Sequence, residues 1–164
     1  MRQLLRRLAV TALLAPVAAL GAATMTASPV QAAPAKASEV ALQTTVNKLV
    51  NAERVKRGCS ALKVNAQLTT AARGHSAWMA QTGKFSHTGK GGSRFVSRVK
   101  AAGFSNPSAE NIAWGYRDAA AVVDGWMKSP GHRANILNCK SKTVGVGVVF
   151  AAGGTPYYTQ DFGF

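Results

Sequence analysis

Negative charge is scarce in this chain. Six acidic residues stand against 20 Lys and Arg in 164 residues, a formal net charge of +14. Such an imbalance favours anionic partners: wall polymers, acidic lipids or nucleic acid. The basic residues are scattered from Lys48 to Lys142 without a dense run, and no nucleic-acid motif is present, which argues against a specific nucleic-acid partner. Cysteine is nearly absent. Cys59 and Cys139 are the whole set, and neither has a second ligand at local spacing, which argues against a cysteine metal site. Histidine occurs only at positions 75, 87 and 132. There is no HExxH to place two ligands and a base on one helix, and no GxSxG elbow to expose a nucleophilic serine. No long apolar run follows the first 20 residues, so the mature chain carries no expected membrane anchor. Internal repeats and long low-complexity segments are missing too.

The first residues read as a secretory leader. Arg2, Arg6 and Arg7 form a basic start, Leu8 to Leu20 is apolar apart from Thr11 and Pro16, and Val30-Gln31-Ala32 offers a small-residue cleavage site. No cysteine lies near that site, which argues against a lipid anchor. The expected division is a signal peptide over 1–32, a short lead-in over 33–38 and one domain over 39–164, secreted to the extracellular side. Without the three leader arginines the balance is still about +11. Two cysteines in an exported chain are expected to pair. A Cys59–Cys139 bridge closes a loop of roughly 80 residues, which in the chain-entropy account contributes about 4 kcal/mol.

Periodicity supplies the elements. Leu42, Val46, Leu49 and Val50 predict a helix from about Glu39 to Arg57, ended by Gly58. Asn65 caps a second helix to about Gln81, with Leu68, Ala72, His75 and Met79 on its buried stripe. His75 is therefore expected to be a structural core histidine, apart from any site. The stretch 83–107 reads as loop, with room for a short helix using Phe95, Val96 and Val99. Ala109 to Tyr116 is expected to be extended. Asp118 caps a further helix through Val122, Val123 and Trp126. At Ser129-Pro130 the chain turns a corner into a last helix ending near Leu137, with Ser129 as side-chain cap and Pro130 in the first helical position. Val144, Val146, Val148 and Phe150 alternate with period two, and Tyr157 to Phe162 returns as the final strand. Helices first and a hairpin last indicate an α+β layered fold.

His132 stands in the first turn after that corner, where a helix N-terminus disfavours its cationic form. Stability alone does not favour histidine there, which makes it a candidate functional residue.

Several segments, taken in order, resemble the CAP superfamily (the SCP domain of cysteine-rich secretory proteins, antigen 5 and pathogenesis-related 1), in its bacterial branch. They are Val50-Asn51-Ala52-Glu53-Arg54, Leu68 to Met79, Phe85-Ser86-His87, Ala109-Glu110-Asn111-Ile112-Ala113, Gly125-Trp126-Met127, Ser129 to Leu137, and Gly145-Val146-Gly147. The resemblance covers about Val40 to Phe164. It implies an α-β-α sandwich with a small antiparallel sheet flanked by helices. It also implies a cavity in which His87, Glu110 and His132 match two family histidines and one glutamate. The second family glutamate is replaced by Ser129, which removes a two-carboxylate mechanism.

Two imidazoles and a carboxylate suit Zn2+ or another divalent cation with an open coordination position. His87, His132 and Glu110 are the candidate metal ligands, expected to share one accessible cavity. Glu110, Ser129 and His132 can also be drawn as orienter, nucleophile and base of a protease-like extracellular hydrolase. A third possibility is a lipid- or cell-wall-binding protein, with Phe85, Phe95, Phe104, Trp114 and Tyr116 lining a groove. The reading preferred from sequence is a secreted, non-catalytic binding module for an anionic cell-surface polymer or lipid.

Overall fold

The computed structural model describes residues 38–164; the leader and nearly all of the lead-in lie outside the described residues. Five α-helices form: α1 (Glu39–Lys56), α2 (Ala66–Thr82), α3 (Phe95–Ala101), α4 (Ala119–Lys128) and α5 (Pro130–Ile136). Four strands, β1 (Lys63–Val64), β2 (Pro107–Trp114), β3 (Thr143–Phe150) and β4 (Pro156–Gly163), make one sheet in the order β1-β3-β4-β2. The β3–β4 and β4–β2 pairs are antiparallel. The two-residue β1, not anticipated from sequence, pairs parallel with β3 and makes the sheet mixed. Its shortness explains the omission, since two exposed residues carry no periodicity. Among the described residues no helix is long and apolar enough to cross a membrane.

Capping sets three of the helix starts. The side chains of Ser38, Asn65 and Asp118 accept hydrogen bonds from the amides of Ala41, Leu68 and Ala121, at 3.1, 2.9 and 2.8 Å. Ser129 departs from the expected pattern. It occupies the N-cap position of α5, with Pro130 following, yet its side chain makes no capping bond. The reason lies in the corner: Ser129 also ends α4, where its amide bonds back to Trp126 O at 3.2 Å. Its side chain borders a groove instead.

The sheet separates two layers. On one face Val144, Val146 and Val148 of β3 and Tyr158 and Phe162 of β4 pack against Val46 and Val50 of α1 and Trp126 of α4. On the other face β3 presents Gly145 and Gly147 to α2, between Thr143 and Val149. A Cβ at either position would overlap the α2 backbone near Thr69 or Arg73, so α2 lies directly on the sheet. Alpha-helix α1 also protects the upper part of β3, which β1 is too short to cover. Gln43 and Glu39 accept the Val148 and Phe150 amides through their side chains, both at 3.1 Å, so the strand's outward N–H groups are not left open.

Cys59 and Cys139 are disulfide-bonded, with Cα atoms 5.0 Å apart. The fully buried Arg54 fixes the same region. Its guanidinium donates to the carbonyls of Ser60, Ile136, Asn138 and Ser141, tying the end of α1 to the segment that carries Cys139.

Candidate functional site

Strand β2 is an edge strand, and alternation along it decides what each residue meets. Glu110 and Ile112 point to the α2 side, where Ile112 packs on Met79 and Tyr157. Asn111 and Ala113 point to the opposite side, toward α5 and α4.

On the α2 side a charged cluster surrounds Glu110. His87 Nδ1–H donates to Oε1 at 2.8 Å, and Arg98 Nη2 donates to Oε2 at 2.5 Å. Arg98 also holds the loop in place through the carbonyls of His87 (3.1 Å) and Ser93 (2.8 Å). The Glu110 side chain is almost fully buried while that of His87 is 58% exposed. The pair therefore links a buried carboxylate to a solvent-facing imidazole.

Asp161 of β4 lies directly across from Glu110 in the strand register. It is fully buried, and neither carboxyl oxygen meets an N–H or O–H donor among the described residues. Burial, and then the negative charge of Glu110, push its carboxyl well above the ordinary carboxylate range. Burial and the adjacent Glu110 charge thus favour the protonated form of Asp161 over its carboxylate.

His75 is buried on α2, as its place in the apolar stripe predicts, but it does not lie apart from the cluster. Its Nε2–H donates to Ser86 O at 2.9 Å, leaving Nδ1 without a partner, and its ring stacks on Trp78. Burial, then the nearby Arg98 charge, hold it below the ordinary histidine value; Glu110 and His87 also act on it electrostatically. It supports the loop that carries His87.

On the other side of β2 the cross-links are amides. Asn135 of α5 donates to Asn111 Oδ1 at 2.9 Å, and Asn111 donates to His132 O and to Gln160 Oε1, both at 3.2 Å. These bonds fix the first turn of α5. His132 is half-buried, and burial followed by the charge of His87 lowers its pKa. Its side chain borders a groove of about 430 Å³ along the free edge of β2, with Ser129, Phe85, Trp114 and Tyr116. Gly125 of α4 shapes one wall, because any Cβ there would overlap the Tyr116 ring.

Of the candidate ligands, His87 and Glu110 are brought into hydrogen-bonding contact. They line one cleft, with Phe95, while His132 lines the neighbouring groove. Among the described residues no three His, Cys, Asp or Glu side chains are grouped to hold a metal ion. Both Glu110 oxygens are already bonded. Glu110 is thus committed to His87 and Arg98 in this arrangement. The hydrolase constellation is not assembled either: Glu110 orients His87, not His132, and Ser129 and His132 share no hydrogen bond. Of the groove aromatics, Phe85, Trp114 and Tyr116 line the groove, Phe95 lines the adjacent cleft, and Phe104 packs against α2 and α3.

Arg98, Asn111, Asn135, Gln160 and Asp161 were not singled out from sequence. One of them carried a signal: an Asp between the apolar positions Tyr158 and Phe162 is unusual for a strand.

Residues 48–162 match the cysteine-rich secretory protein family, CAP. Among curated proteins the chain is similar to the uncharacterized membrane protein YlbC of Bacillus subtilis strain 168, at 37% identity over 74% of this chain and 35% of that protein. It is also similar to the uncharacterized protein YkwD of the same organism, at 36% identity over 78% of this chain and 49% of that protein. The chain thus spans between a third and a half of these relatives. Among solved structures, an extracellular protein containing a SCP domain from Bacillus anthracis strain Ames superimposes with a TM-score of 0.71 at 30% identity. That match covers 76% of this chain and 41% of the other.

Proposed function

Because the chain belongs to the CAP family of cysteine-rich secretory proteins, we propose that it is a non-catalytic extracellular binding domain whose ligand lies in the groove along the free edge of β2. The observation that carries this reading is the set of aromatics at that edge. Phe85, Trp114 and Tyr116 are 47%, 54% and 38% exposed and border one groove with His132. Large apolar side chains left together in solvent mark a binding surface more often than a folding requirement. A net charge of about +11 outside the leader draws such a domain toward an anionic surface. The leader read at 1–32 and the Cys59–Cys139 bridge support an extracellular setting.

Hydrolysis is disfavoured, because neither Ser129 nor His132 is aligned by a carboxylate. A divalent ion is not needed for this reading.

The test is co-sedimentation of the purified protein with isolated cell walls and with anionic liposomes across a salt series. Retention on one of these at low salt is expected, and Trp114→Ala should weaken it by at least about tenfold. Failure to bind either surface, or turnover of a generic peptide library, overturns the reading.

A further inference from the structure

Trp114 borders a second depression on its far side. This cleft, about 570 Å³ in volume, is distinct from the groove and from the His87–Glu110 cleft; its lining includes Trp114, Gly115, Arg117, Gly153, Thr155 and Pro156. We propose that it is a binding site for a carboxylate-bearing pyranose unit of an extracellular polysaccharide. The proposal rests on the binding-domain reading above and names a ligand class for a site that reading does not use.

Three observations converge. The first is a supported aromatic platform. Trp114 is stacked on Tyr157, ring centroids 6.4 Å apart and planes 22° apart, and Tyr157 is itself buried. The indole is held in position while over half of the residue stays exposed, and an indole face accepts the C–H face of a sugar ring.

The second is Arg117. It is exposed and makes no hydrogen bond or ion pair among the described residues. The carboxylate beside it in sequence, Asp118, is committed to capping α4 through the Ala121 amide. An unneutralised guanidinium at the rim of a cleft matches a carboxylate in two-pronged fashion.

The third is a pre-formed polar wall. The β3–β4 turn is closed by Ala151 N to Thr155 O at 2.9 Å and Gly154 N to Ala151 O at 2.7 Å, and Gly115 N bonds Pro156 O at 2.9 Å. The turn and the end of β2 therefore hold their shape without a ligand, which reduces the ordering cost of binding. Beside Trp114, Phe150 and Pro156, the lining includes Arg117, Thr155 and the backbone of Gly115, Gly153 and Gly154, so the wall is mixed and not continuously apolar. That suits a hydroxylated ring and not an acyl chain.

The experiment measures binding of oligogalacturonate, and of its carboxyl-reduced neutral counterpart, to the full chain by calorimetry. Wild type, Arg117→Gln, Arg117→Lys, Trp114→Ala and Lys100→Ala are compared. The acidic oligomer should bind more tightly than the neutral one. Arg117→Gln and Arg117→Lys should each weaken the acidic oligomer about tenfold, Trp114→Ala should weaken both oligomers, and Lys100→Ala should change neither. The proposal is overturned if Arg117→Lys binds like wild type, if Lys100→Ala loses as much as Arg117→Gln, or if the two oligomers bind equally. Either of the first two results would reduce the effect to diffuse positive charge. Preference for anionic vesicles over the acidic oligomer, abolished by Arg117→Gln, also overturns it. Wall retention in wild type that is insensitive to Arg117→Gln, together with no oligomer binding, would remove this site and leave the binding-domain reading intact. Loss of all surface binding in wild type would remove the reading itself.

Discussion

The two sides of strand β2 solve the same problem with different chemistry. Both must anchor a loop or helix onto an edge strand. On the α2 side the anchors are charged: Arg98 and His87 converge on Glu110, with Asp161 behind. On the α5 side they are neutral amides: Asn135, Asn111 and Gln160 connect to the His132 carbonyl. The neutral side carries no net charge and gives a fixed frame. The charged side concentrates two carboxyl groups and a guanidinium in a place largely closed to water, so its stability depends on the proton count. An exposed histidine is therefore coupled to a buried acid, while the histidine of the opposite side is positioned by its backbone.

The largest effect should come from removing the positive charge. Arg98→Met leaves Glu110 buried beside Asp161 without its guanidinium. Breaking a buried ion pair in this way costs about 3–5 kcal/mol, read from denaturant melts at neutral pH. A loss below about 1 kcal/mol would mean that the charged side is not electrostatically bound as described.

On the neutral side, Asn135→Ala leaves Asn111 Oδ1 without its donor. A buried acceptor left unpaired costs about 1–3 kcal/mol. The deficit should be independent of pH between 5 and 8, because no titrating group is removed.

Asp161→Asn sharpens the contrast through its sign. A carboxyl raised in the folded state binds its proton more tightly there than in the unfolded chain. Its stabilising contribution is complete below the unfolded value of about 3.9 and is lost as pH rises toward the folded value. The loss is at most about 1.4 kcal/mol per pH unit. Asn keeps the size and shape of the side chain and removes the titration. The variant should equal wild type near pH 4 and become relatively more stable as pH rises above that. A variant less stable than wild type at pH 7 would show Asp161 to be an ionised, paired carboxylate.

Ser129→Ala should have the smallest effect. The sequence suggested a loss of about 1 kcal/mol from a missing cap. With no capping bond present, the change should stay within about 0.5 kcal/mol. Calorimetric melting of the variant against wild type decides it.

Much of the fold could be read locally. The caps at Asn65 and Asp118, the stripe Leu68–Ala72–His75–Met79 and the alternation of Val144, Val146 and Val148 each lie within a short window. Their physical signals, a capping side chain or an apolar period, are contained there. The disulfide was legible for another reason: with two cysteines there is one way to pair them. The site was legible in part. His87 and Glu110 were named and do meet. Arg98 was not, because an arginine on a short helix looks the same in sequence whether it faces water or a carboxylate. The corner at Ser129 and its place before α5 were legible, but whether its hydroxyl turns to the free amides or to the groove depends on tertiary packing.

The sequence by itself determined the α+β class, most element positions, the cationic surface and the residues able to carry chemistry. These follow from composition and from periods of 2 and 3.6 residues, which every short segment obeys on its own. Tertiary structure alone decided that Glu110 faces Asp161, and that His132 lies across the edge of β2 from the charged cluster. It also decided that Trp114 stands between two clefts. Each of these depends on which residue of one strand stands opposite which residue of another. Register is set by packing the whole sheet between its helix layers, and shifting it by a single residue would exchange the two sides of β2.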